Sequence, residues 1–323
     1  MELEWVLGYP LAVPSPRVAA IALCVLTALV ISGCYGGDGY NDYTRGPSAP
    51  GGATSVDEYG PGAFSHPAAN LTSDEIARFR IGDTFFTAPW DAAPGVSAER
   101  DGLGPTYLAT SCAACHVADG RGSVPGSPGD EGMAILRFVD ADGQGAVLDD
   151  YHLQLQPVAI DDVPAEGTFA ISWVEEPGAY PDGTPFSLRR PIVEVDADDE
   201  TLVASAARGV RVAPPLIGLG LLEAIPEEDI RALADPDDAD GDGISGTVHD
   251  LDQGDGSTAI GRFGFKANVA SVEEQVAIAY LLDMGITSPV LPTENCPAVQ
   301  VACRASESGG TPEISQGRFD DVV

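Results

Sequence analysis

Residues 102–122 read GLGPTYLATSCAACHVADGRG. Cys112 and Cys115 stand three positions apart, and His116 follows the second directly. On one helical turn, each thiol can add to a vinyl group of a single haem, and the next histidine then lies under the iron as axial ligand. Two other chemistries use such a cysteine pair. A zinc site needs further Cys or His ligands at suitable spacing, and none is near. A thioredoxin-like dithiol opens a helix within a βαβ pattern, and no such pattern surrounds Cys112. The segment therefore predicts haem c, one per chain, attached at Cys112 and Cys115 with His116 on the iron. For the second axial position Met133, His152 and Met284 are the candidates, with His66 and His249 behind them. A lone methionine is more often core packing than a ligand, so none of them stands out.

Working outward, the 323 residues suit one large domain or two ordinary ones. Fifty acidic residues against 16 basic ones give a net charge of −34, and Lys266 is the single lysine. Such a balance repels phosphate backbones and excludes nucleic acid as a partner. The 38 glycines and 26 prolines point to a loop-rich fold rather than a bundle.

At the amino end, Arg17 precedes an apolar or small run over 18–31, followed by Ser32-Gly33-Cys34. A helix of that length, at about 1.5 Å per residue, falls short of the roughly 30 Å hydrocarbon core, so a cleaved signal peptide fits better than a spanning helix. Ile31-Ser32-Gly33-Cys34 resembles a bacterial lipobox, which predicts residues 1–33 as a lipoprotein signal peptide, Cys34 as the lipidated residue, and a protein anchored to a membrane facing the periplasm. Residues 34–70 are rich in Gly, Pro and Ser with almost no aliphatic side chains, and read as a flexible tether. The body is then 71–323.

Within it, Thr72 and Glu75 form a capping-box pattern ahead of Ile76, Phe79 and Ile81, predicting a helix over 73–81 that Gly82 closes. TFAISWVEE and FSLRRPIVEVDA flank the turn sequence AYPDGTP and predict a β-hairpin. Arg189 and Arg190 in its second strand read either as partners of haem propionates or as a local surface ion pair. Pro226 opens a short helix with acidic residues in its first turn. Asp238, Asp240 and Asp242 recur at alternate positions before Gly243, matching the start of a calcium loop. Position 12 of that loop would be His249 instead of Glu, so the alternatives are a calcium site of another geometry and a solvated acidic turn. Ser271 and Glu274 predict a second capped helix over 272–284, stopped by Gly285. Cys296 and Cys303 are expected to close their loop as a disulfide, against two free thiols.

Taken with YHLQLQPVAIDDVPAEG, VAPPLIGLGLLEAIPE, DADGDGISG, GRFGFKANVASVEEQVAIAYLLDMGITS and GGTPEIS, these blocks resemble the bacterial di-haem c-type oxidoreductases, a family of thiol oxidoreductases and peroxidases. The resemblance implies haem on Cys112, Cys115 and His116 and a periplasmic redox role. Family members carry a second haem domain with its own C-x-x-C-H. This sequence has one such motif, so it reads either as a fragment or split form truncated at its carboxy end, completed by a redox partner or a second haem domain, or as a single-haem protein. The expected fold is α+β with much coil: a cytochrome-c-like haem segment elaborated by a β-hairpin and long loops. Three functions follow: the amino-terminal part of a di-haem oxidoreductase, a single-haem lipid-anchored electron carrier, or a dithiol enzyme using the C-x-x-C pair.

Overall fold

The computed structural model describes residues 49–123, 125–126, 133–139, 153–197 and 207–323. Cys34 and His152 lie outside the described residues. Residues 51–323 form one compact unit, so the tether expected over 34–70 joins the body earlier than residue 71. The Ala69 N–H donates to the Thr54 carbonyl, which folds this stretch back on itself.

Helix α1 (Ser73–Thr87) begins at the expected capping box: Glu75 N–H donates to Thr72 Oγ1, and Thr72 N–H donates to the Glu75 carboxylate. It does not stop at Gly82. The glycine is there for an approach between helices. A Cβ on Gly82 would stand 1.9 Å from the Asp321 carbonyl oxygen in the last helix, α6 (Gln316–Val322). Arg78 Nε donates to Asp321 Oδ1 at 2.9 Å across the same contact.

Helix α4 (Val272–Met284) starts where predicted. Glu274 N–H donates to Ser271 Oγ, and the Glu274 carboxylate reaches Ala270 N–H instead of Ser271, so the reciprocal bond falls one residue early. Gly285, at φ 70°, ends it in the left-handed conformation that favours glycine. Two short helices, α2 (Leu219–Glu223) and α3 (Glu227–Ala232), follow Pro214-Pro215, and α5 (Val301–Ala305) begins inside the loop closed by the Cys296–Cys303 disulfide and carries Cys303 itself.

Among the described residues the strands form four antiparallel pairs. They are β1 (Thr106–Tyr107) with β3 (Val158–Ala159), β2 (Ile135–Val139) with β6 (Ala207–Arg211), β4 (Thr168–Ala179) with β5 (Pro185–Asp196), and β7 (Asp250–Asp252) with β8 (Thr258–Ile260). With six α-helices among the described residues, the architecture is mixed α and β with long coil. The β4–β5 hairpin is the one predicted. Phe169, Val193 and Val195 at its base pack on Leu136, Phe138 and Leu155, while most of its length is exposed.

The main core joins α1 to α4 and α6: Phe85, Trp90, Tyr280, Met284, Ile314 and Phe319 are all buried together. Trp90 stands edge-on to Tyr280 at 5.8 Å, and Tyr280 meets Phe319 at 6.4 Å. Cys112 packs against this cluster, so the cysteine motif sits at the edge of the main core.

Candidate functional site

The segment leading to the motif is bound to the end of α4. Gly104 N–H donates to the Met284 carbonyl, and Leu108 and Ala109 N–H groups both donate to the Asp283 carbonyl, at 2.8 and 3.0 Å. Gly285 makes the approach possible, since a Cβ there would lie 2.7 Å from the Thr106 carbonyl oxygen. The chain then enters a 3-10 turn over Cys112–Ala114, in which Cys115 and His116 N–H groups both donate to the Cys112 carbonyl. This single tight turn brings the two thiols and the imidazole to one place.

All three face a cavity of about 800 Å³. That volume lies in the range of sites for small molecules and cofactors, and its lining is mostly apolar, with Ile135, Val269, Val276 and Leu282 among the walls. His116 Nδ1 lies 3.3 Å from the Gly120 carbonyl oxygen, and the Pro214 carbonyl also faces the ring. Burial holds its pKa below the ordinary value, with the carbonyls opposing. The imidazole is thus kept neutral, the form that binds a metal. Gly122 N–H donates to the Ala213 carbonyl and fastens the loop after His116 to the far wall.

Cys112 and Cys115 are free thiols. Burial, reinforced by the nearby Asp283 carboxyl, pushes each up to about 12. Thiol exchange needs a thiolate near neutral pH. These two environments work against it.

The cavity also holds buried polar atoms without a hydrogen-bond partner among the described residues: Arg137 Nε, Gln275 Oε1 and Tyr280 Oη. Each would normally cost on the order of 1–3 kcal/mol. Polar atoms left without a partner around an apolar hollow, beside a C-x-x-C-H turn, fit a large apolar group with polar edges, as haem is.

The other expected residues are scattered. Met284 lines the cavity from the core side. Met133 does not line the cavity but stands directly beside the motif, its Sδ accepting from the Cys115 thiol at 3.2 Å. His66 is exposed, and His249 Nδ1 sits 3.3 Å from the Lys266 carbonyl oxygen. Arg190 pairs with Glu176 at 2.7 Å, and Arg189 stacks 5.0 Å over Trp173. Neither arginine lines the cavity, so the local reading of that pair is the one the structure supports. The basic residues that do face the cavity include Arg137 and Arg211, which sequence reasoning passed over.

In the aspartate loop, Asp235, Asp238 and Asp240 each bring a carboxylate oxygen within 4.8 Å of the others. Asp242, expected in that set, instead accepts Ile244 N–H at 2.7 Å. Asp235 lies three residues ahead of the alternation and had no pattern to mark it.

The model of the family described as "di-haem oxidoreductase, putative peroxidase" matches residues 43–142 and 158–305. The chain belongs to the di-haem oxidoreductase family. The match spans both the haem-motif turn and the walls built by β2, β6 and α4. No curated relative and no solved structure matches the chain.

Proposed function

We propose that this member of the family is a periplasmic c-type haem protein that transfers electrons. It carries one haem c bonded through Cys112 and Cys115, with His116 on the iron. The observation that carries the reading is the convergence of all three residues on one apolar cavity at the edge of the core. We read the α1, C-x-x-C-H and α4 unit as cytochrome-c-like, elaborated by the hairpin and loops. Bound haem would supply one-electron chemistry at its iron.

The protein's own part is positional. The Cys112–Ala114 turn presents both sulfurs to one face, and the carbonyls of Gly120 and Pro214 hold the His116 ring. The mostly apolar walls would shield a bound haem from water, and Met284, which borders the cavity, would be the candidate to help hold its iron. Peroxidase chemistry in a di-haem system divides electron storage and O–O cleavage between two haems, so a redox partner or second haem domain would complete it. Export and anchoring through Cys34 belong to the same reading, as does calcium at the aspartate loop. The raised thiol pKa values weigh against the dithiol alternative.

The test is attachment. Produced with haem-attachment machinery, the chain is expected to keep its Soret band through acid–acetone extraction and to stain for haem on a denaturing gel. The Cys112→Ala, Cys115→Ala double variant is expected to lose both signals, and colour extracted from the wild type would refute covalent attachment.

A further inference from the structure

We propose that Arg137 and Arg211 form an anion-binding wall of the cavity and receive the two haem propionates, an assignment that rests on the haem reading above. The argument starts from register. In the β2–β6 pair Ile135 lies opposite Arg211, and Arg137 lies opposite Gly209. Arg137 and Arg211 are therefore diagonal neighbours on one face of the ladder, within reach of each other's side chains. That face lines the cavity; on the other face Leu136 turns into the second core cluster, and Phe138 belongs to that cluster while also bordering the cavity.

Two like charges held side by side and partly desolvated are costly unless something answers them. Among the described residues nothing does so fully. In a chain with 50 acidic residues, Arg78, Arg190, Arg231 and Arg318 each have a carboxylate partner, and Arg262 caps the carbonyls of Leu222, Glu223 and Ile225. Among the described residues Arg137 and Arg211 have no ion pair. Arg137 Nε is buried without a partner. Arg211 Nη1 donates only to the neighbouring Val210 carbonyl, and its guanidinium lies 5.6 Å over the Phe265 ring. Asp283 is the nearby carboxyl, and it is already held by Gln154 Nε2 at 2.9 Å, outside salt-bridge distance of either arginine.

A dianion with carboxylates on flexible arms, tethered to a flat apolar body, answers both guanidinium groups at once. Arginine's planar fork suits carboxylates in particular. The apolar remainder of the cavity then covers the ring.

The experiment has two arms. In the first, Arg137→Gln, Arg211→Gln and the double variant are produced with covalent haem, with the exposed Arg189→Gln as control. Each is expected to keep one haem per chain by pyridine haemochrome. The midpoint potential should fall in both single variants and further in the double, because positive charge near the iron favours the reduced state; Arg189→Gln should match the wild type. In the second arm, which needs no arginine variant to fold, the full wild-type chain made without attachment machinery is titrated with haemin and with haemin dimethyl ester. The ester is expected to bind about tenfold or more weakly, since charge-assisted hydrogen bonds are lost. Equal affinity for the two, or an unchanged potential in a haem-bearing double variant, overturns the arginine assignment alone. A wild-type chain that attaches no haem overturns the haem reading and this proposal with it.

Discussion

Glu166 offers a quantitative handle on how the body is held together. It is almost fully buried, its carboxylate accepts Gln156 N–H at 2.7 Å, and it accepts Gln300 Nε2 at 2.7 Å. Gln156 in turn donates through Nε2 to the Leu282 carbonyl, next to the site's Asp283. One carboxyl thus ties the β3 region and the disulfide loop to the end of α4. Burial pushes its pKa from 4.5 up to about 7, against the two hydrogen bonds that lower it. Since the folded value is the raised one, the folded state holds its proton more tightly than the unfolded chain. The resulting stabilisation is fully present below pH 4.5 and is lost as pH rises through 7. The whole gap is worth roughly 3 kcal/mol. Replacing Glu166 by Gln removes the titration. The new amide can keep two bonds if Gln300 turns over, because Gln300 Oε1 has no partner where it is. Denaturant unfolding at pH 5 and pH 8 is the assay, read as a double difference, since Glu294 and Glu313 also have raised values and contribute to both proteins. Wild type should lose roughly 2–3 kcal/mol more than Glu166→Gln between the two pH values. The same pH dependence in both proteins would show that Glu166 is solvated and that the junction is not sealed.

Gly82→Ala gains helix propensity, yet it should destabilise the protein by roughly 2 kcal/mol, because its Cβ meets the Asp321 backbone and the two helices must part; a raised melting temperature would refute that packing. At the aspartate loop, a chelator is expected to lower the melting temperature of the wild type and not of Asp238→Ala, whereas identical melting of the wild type with and without chelator would leave a bare acidic turn. Cys34→Ala is expected to move the protein from the detergent phase to the soluble periplasmic fraction, and unchanged partitioning would count against lipid on Cys34.

What could be read from the chain alone was whatever is encoded within a few neighbouring residues. The capping box at Thr72, the α4 start at Ser271 and its stop at Gly285, the β4–β5 turn and the C-x-x-C-H spacing all depend on contacts a handful of positions apart. Gly82 misled for the converse reason: its role is a contact with Asp321, more than two hundred positions away, and in sequence it looks like any helix-ending glycine. The buried carboxyls were hidden in the same way, because in a chain with 50 acidic residues nothing marks Glu166 or Glu313 as the ones that fold inward.

The cavity wall shows why this matters for function. Arg137 and Arg211 are 74 positions apart, and only the antiparallel register of β2 with β6 makes them neighbours. Arg189 and Arg190 are adjacent in sequence and for that reason draw the eye. Yet consecutive residues of a strand point to opposite faces, so one of that pair stacks on Trp173 and the other meets Glu176. Two guanidinium groups that act on one ligand must share a face, which along a single strand means alternate positions and across a pair of strands means matched register. The adjacent arginines could not satisfy that geometry on one strand, and the distant ones do.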